Sequence, residues 1–145
     1  MILIREMQQE DVGAVAALET QIFSMPWSKQ GFLDALELEN TVFLVAEEDA
    51  QIVGYIGMYF SVDEGEITNV AVEPNARRCG IGGMLITAMK KEAKRRGMAS
   101  IVLEVRVSNE NAIRLYEQNG FVHQGVRKGF YALPKEDAYI MIYGQ

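Results

Sequence analysis

One junction constrains the fold more than any other stretch. A strand runs into a glycine-rich turn that opens a long amphipathic helix: Val70-Ala71-Val72-Glu73-Pro74-Asn75-Ala76-Arg77-Arg78-Cys79-Gly80-Ile81-Gly82-Gly83. Over residues 80–96, Ile81, Leu85, Ala88, Met89 and Ala93 form an apolar stripe. Lys90, Lys91, Lys94 and Arg95 face away, the pattern of a helix packed on a sheet. Gly97 stands where such a helix closes on a left-handed residue. Glycines let a ligand come close to the backbone, and the first N–H groups of the helix are free to meet it. A turn of this kind binds phosphate, and Arg77 and Arg78 add positive charge. The bland alternative is a tight strand–helix turn without a ligand.

Periodicity arranges the rest of the chain around this unit. Residues 2–5 read as a strand. Residues 11–22 read as a helix with Val12, Val15, Leu18 and Ile22 on one side and Asp11 at its positive end. Ser28 caps a second helix running to about residue 38. Strands follow at 41–47, 52–60 and 66–72. After the long helix comes a strand at 100–107, then a helix at 109–119 capped near Ser108 or Asn109 and stopped by Gly120, then strands at 121–126 and 138–143. This order predicts a mixed α/β chain with hairpins and at least one right-handed crossover. A length of 145 residues is expected to form one domain, residues 1–145.

Composition removes several function classes. Lys and Arg number 14 against 20 Asp and Glu, a net charge of −6. Direct nucleic-acid binding usually goes with the opposite sign, whereas an acidic surface suits a basic or amine-bearing partner. With one Cys and one His, no internal disulfide is available, and a metal site of Cys and His ligands is not expected. No apolar run approaches the ~20 residues of a membrane helix. The first ten residues do not read as a secretory signal, so a soluble cytoplasmic protein without membrane contact is expected.

The turn matches neither common nucleotide loop. It lacks the Gly-Lys pair of the triphosphate loop, and Leu85 stands where the dinucleotide fingerprint needs glycine. A second block, Leu103-Glu104-Val105-Arg106-Val107-Ser108-Asn109-Glu110-Asn111-Ala112-Ile113-Arg114-Leu115-Tyr116-Glu117-Gln118-Asn119-Gly120-Phe121, narrows the choice. Together the two blocks resemble the GNAT N-acetyltransferase superfamily, which uses acetyl-CoA. The second block looks most like its RimI subfamily, the bacterial ribosomal-protein-alanine N-acetyltransferases. Pro26-Trp27-Ser28, Asn69-Val70-Ala71-Val72 and Glu136-Asp137-Ala138 add to the likeness, which spans nearly the whole chain.

The resemblance implies a mostly antiparallel central sheet flanked by helices, acetyl-CoA as co-substrate, and no metal. It implies that the backbone of Val70, Ala71 and Val72 holds the acetyl group and pantetheine arm. Arg78, Cys79, Gly80, Ile81, Gly82 and Gly83 would cradle the pyrophosphate, and Asn109 would contact the arm near the sulfur. Glu104 would be the general base and Tyr116 the general acid. Trp27 and Tyr131 match positions near the acceptor. The implied acceptor is the N-terminal alanine amine of a basic small-subunit ribosomal protein. The chain departs from the family at Cys79, usually Gln or a base, at Gly83, commonly Arg, and at Gly129-Phe130-Tyr131, often Asn-Tyr-Tyr.

The residues alone leave alternatives open. Glu104 interrupts an apolar strand, and its simplest partner is Arg106 on the same face. Tyr116 also reads as a core aromatic. Proton transfer to an ordinary glutamate costs ~5 kcal/mol from an α-ammonium and ~8 kcal/mol from a lysine, so an N-terminal amine is the easier acceptor. Burial of Glu104 would narrow that gap. A GNAT enzyme acting on a small amine, amino acid or lysine is the second reading. A third is a CoA-binding module partnered with a tRNA-modification complex.

Overall fold

The structure is a computed structural model, and it describes residues 1–76 and 80–144. The elements follow the expected order. They are β1 (Ile2–Glu6), α1 (Val12–Ile22), α2 (Lys29–Leu36), β2 (Thr41–Glu48), β3 (Gln51–Ser61), β4 (Glu64–Val72), α3 (Ile81–Arg95), β5 (Ser100–Arg106), α4 (Glu110–Gln118), β6 (Val122–Ala132) and β7 (Lys135–Gly144). The seven strands form one sheet in the order β1-β2-β3-β4-β5-β7-β6. Only β4 and β5 pair in parallel, and α3 is the crossover between them.

Each face of the sheet carries its own core. On one face Ile81, Leu85, Ile86, Met89 and Ala93 of α3 pack on Val42, Leu44, Ile56 and Met58. On the other, Val12, Val15 and Leu18 of α1 and Phe32 and Ala35 of α2 pack on Phe43, Val45, Tyr55 and Ala71. The helix ends are built as their sequences imply. Ser28 accepts from the Gly31 N–H, and Asn109 accepts from the Ala112 N–H. Gly97 and Gly120 close α3 and α4 at φ +78° and +89°. Asp11 does more than face a helix dipole. Its carboxylate takes both terminal nitrogens of Arg5, at 2.7 and 2.9 Å, and the Gln8 N–H at 2.7 Å.

The last hairpin is longer than its sequence pattern predicts. Strands expected at 121–126 and 138–143 extend toward each other, pairing Tyr131 with Glu136 and Ala132 with Lys135. The reason is the position of β6 at the sheet edge, exposed along almost all its length. With no buried face, it shows no alternation of apolar and polar residues to read.

A bulge positions the site. Opposite β3, Ile67 pairs with Met58 and Asn69 with Gly57, so Thr68 is the extra residue. Gly57 is needed here, because a Cβ would lie 2.3 Å from the Phe43 ring. Bulges increase local twist and bend a strand away from its neighbour. The parallel pairing of β4 with β5 ends one residue earlier, at Ile67 and Leu103. Beyond it the two strands part, and the β5-facing edge of residues 68–71 has no strand partner.

Candidate active site

A cleft of about 830 Å³ opens where β4 and β5 diverge, within the usual size range of ligand pockets. Val70, Ala71 and Val72 form its floor, Gly80, Ile81, Gly82 and Gly83 one end, and Asn109 and Tyr116 a side. The first turn of α3 is suited to an anion. Gly80 precedes the helix at φ +76°, and among the described residues no side chain caps the helix. A Cβ added at Gly80 or Gly83 would meet nothing within 4 Å, so the backbone there is open to a ligand. The strand edge and the uncapped helix end together fit a long molecule with a phosphate group. Arg78 and Cys79, expected in the same cradle, lie outside the described residues.

Asn109 lines the cleft, but its side-chain oxygen is engaged at 3.3 Å by the Ala112 N–H. Tyr116 satisfies both of its readings. It is 8% exposed, packs on Phe121 with ring centroids 5.8 Å apart, and still lines the cleft. Burial pushes its phenol well above the ordinary value, with the neighbouring Tyr131 adding to the shift. The hydroxyl therefore stays protonated as a donor.

Glu104 does not pair with Arg106. That arginine instead reaches Glu136 at 3.2 Å and the carbonyls of Leu133 and Pro134, each at 2.9 Å, and lies over the Tyr131 ring at 4.2 Å. Glu104 is 11% exposed at its side chain, with Arg127 Nε 3.9 Å away. Burial raises its pKa above the usual carboxylate range. A hydrogen bond and like charge from Glu66 raise it further, and Arg127 pulls it back in part. Tyr131 connects the two candidates, since its phenol responds to the charge of Glu104 and is itself felt by Tyr116. Burial and these acids push the Tyr131 phenol up to about 12 against the pull of Arg106.

Trp27 is not among the residues lining the cleft. Its ring packs on Phe32 at 5.2 Å, Phe43 at 6.2 Å and Tyr59 at 6.4 Å. Ile22, the last residue of α1, and Phe23, the first of the connection, do line it. Ser24 follows them and donates its hydroxyl to the Leu133 carbonyl at the β6–β7 tip. The α1–α2 connection and this hairpin thus meet beside the cleft. Phe23 and the buried Glu19 are participants that sequence reasoning passed over, and Arg106 is one for which it offered a different partner. Glu19 leaves a signal, because it falls between Val15 and Ile22 on the apolar stripe of α1.

The model of the acetyltransferase (GNAT) family matches residues 12–121 of the chain. The chain belongs to the GNAT acetyltransferase family. This GNAT protein is an acetyl-CoA-dependent N-acetyltransferase. It is similar to a Bacillus subtilis protein provisionally named a ribosomal protein bS18-alanine N-acetyltransferase. The two are 37% identical over 140 residues, covering 95% of this chain and 92% of the relative. The ribosomal protein bS18-alanine N-acetyltransferase of Escherichia coli K12 is 31% identical over 143 residues, covering 97% of this chain and 96% of its own. A crystal structure of the ribosomal-protein-S18-alanine N-acetyltransferase from Escherichia coli has the same fold. Its TM-score is 0.90 at 30% identity, covering 99% of this chain and 94% of the other. The mixed seven-stranded, mostly antiparallel sheet is therefore the GNAT architecture. Among the described residues, no helix of this GNAT protein is long and apolar enough to cross a membrane. None of them form a group of three His, Cys, Asp or Glu placed to hold a metal.

Proposed function

We propose that this GNAT enzyme, acting as one domain in the cytoplasm, acetylates the N-terminal alanine amine of a small-subunit ribosomal protein. The observation that carries the chemistry is the pairing of a phosphate-suited cleft with a raised-pKa carboxylate at the strand opening beside it. The acceptor follows from two near-full-length relatives named for that alanine. A basic ribosomal acceptor also matches the chain's net charge of −6. No tRNA-modification partner figures in those names, and the proposal omits one.

Acetyl-CoA supplies the activated thioester. Backbone groups of Val70, Ala71 and Val72 would hold the acyl end, and the N–H groups of residues 80–83 would hold the phosphates. Arg78 and Cys79, outside the described residues, are proposed for the same phosphate cradle. Asn109 stands beside the arm, its oxygen shared with the α4 cap. The acceptor enters between the α1–α2 connection and the β6–β7 hairpin, with Trp27 fixing the first and Tyr131 lining the second. Glu104 takes the ammonium proton, directly or through a water. The amine then attacks in a direct transfer. A raised Glu104 pKa narrows the gap to either ammonium by the same amount, so an α-ammonium near 8 stays easier to deprotonate than a lysine near 10.4. Tyr116 donates a hydrogen bond or its proton to the departing sulfur.

A small amine or lysine acceptor is the competing possibility, motivated by Gly129-Phe130. Phe130 is exposed, and its ring packs edge-on against Tyr131 at 5.0 Å. The hydroxyl that this ring lacks would therefore stand at an exposed position. Steady-state acetylation of three acceptors tests the proposal. They are a peptide beginning Ala-Arg, the same peptide N-terminally blocked with an internal lysine, and spermidine. Turnover of the free N-terminus alone is expected, and turnover of lysine or spermidine alone contradicts it.

A further inference from the structure

Glu19 is 2% exposed, and no step described above uses it. Donors converge on its carboxylate from three parts of the chain. The Trp27 backbone N–H donates to Oε2 at 3.0 Å and the Tyr55 hydroxyl donates to Oε1, while the Asn69 side chain stands near enough to favour the charged carboxylate. Asn69 is itself 5% exposed. Its Oδ1 accepts from the Thr68 hydroxyl at 2.6 Å, which leaves its NH₂ for Glu19. A carboxylate is retained this far from water only where donors hold it.

Each end of this chain of hydrogen bonds has a place in the site. Thr68 is the bulge residue at which β4 leaves β5, and Val70, Ala71 and Val72 of the cleft floor follow directly. At the other end, Trp27 anchors the connection that carries Phe23 on the cleft wall and Ser24 against Leu133. Its ring is fixed by Phe32, Phe43 and Tyr59. Glu19 is thus the shared partner of the acceptor-side connection and the strand beneath the cleft.

We infer that Glu19 is a positioning residue for the acceptor, holding residues 23–28 in register with the β4 bulge. This rests on the proposed entry of the acceptor beside that connection. A side chain with only a packing role would alter stability and affect both substrates alike. A positioning role separates them, because residues 80–83 take no part in the network.

Glu19→Gln keeps the shape but puts an NH₂ where an oxygen accepted, so its donors can no longer all be satisfied. Trp27 is the single tryptophan of the chain, so its fluorescence reports on the connection without any acceptor. In a folded E19Q protein, acrylamide quenching of Trp27 is expected to rise about twofold. The acceptor KM is expected to rise about tenfold, with the acetyl-CoA dissociation constant within about twofold of wild type. The KM is measured on whichever amine the wild-type enzyme acetylates. An unchanged acceptor KM, unchanged quenching, or equal loss of both substrates overturns the inference. Where E19Q does not fold, Tyr55→Phe removes one donor and keeps the carboxylate. It should raise the acceptor KM alone by a smaller factor, and no rise contradicts the role. A wild type that uses only lysine or spermidine counts against the N-terminal acceptor and leaves the Glu19 test intact.

Discussion

Glu104 on β5 and Glu66 on β4 share one face of the sheet at the strand opening, close enough for Glu66 to raise the Glu104 pKa. Glu66 is backbone-paired with Val102, so Glu104 stands two residues beyond on the same face. Burial of Glu104 comes first among the causes, and the like charge of Glu66 acts in the same direction.

With Glu104 as the proposed base, this pair is expected to set the acid limb of the pH profile. A base acts only when deprotonated, so kcat should rise with pH through the raised Glu104 pKa. Glu66→Gln removes the second acid and should move the limb to lower pH. Removing Arg127, which lowers the Glu104 pKa, should move it higher. The acceptor's own titration is the same in all three proteins, so the displacement isolates Glu104. A limb that stays in place in Glu66→Gln, or moves up, contradicts the coupling.

Tyr116 forms part of the core and part of the cleft, so its hydroxyl must be separated from its ring. Tyr116→Phe keeps the packing on Phe121. The expected outcome is a fall in kcat of about 100-fold, in line with loss of a positioned proton donor. The acetyl-CoA dissociation constant should stay within about twofold of wild type, as should the folding midpoint. Full activity in the variant would leave Tyr116 with packing alone.

The Arg5–Asp11 pair should mark the acid stability of the fold. Asp11 is held below the ordinary carboxylate range by Arg5 first and by the Gln8 N–H as well. A lowered folded pKa gives stability that is present above the unfolded value near 3.9 and is lost as pH falls through the folded one. Asp11→Asn should cost about 2 kcal/mol at pH 7. The difference from wild type should shrink below about pH 4. Urea unfolding at both pH values checks this, and equal midpoints at pH 7 would contradict it.

The parts legible in the sequence are the parts with local causes. The α3 stripe, the Ser28 and Asn109 caps and the Gly80 turn each depend on residues within a few positions of one another. Glu104 was conspicuous because it breaks an apolar strand. The alternative pairing of Glu104 with Arg106 fails because the partners of Arg106, Glu136 and the carbonyls of Leu133 and Pro134, come from a hairpin some thirty residues later. The hairpin itself was read short because an edge strand has no buried face to impose alternation. Glu19 was visible as a carboxylate on an apolar stripe. Its partners Tyr55 and Asn69 become neighbours only when β3 and β4 pair.

In the proposed reaction the cleft binds acetyl-CoA, and Glu104, outside its lining, removes the proton. The most direct measurement is steady-state turnover of the Ala-Arg peptide by Glu104→Gln, with acetyl-CoA binding measured on the same protein. The account predicts a kcat lower by about 100-fold or more, with the acetyl-CoA dissociation constant within about twofold of wild type. Turnover equal to wild type, or a loss explained wholly by weaker acetyl-CoA binding, would contradict it.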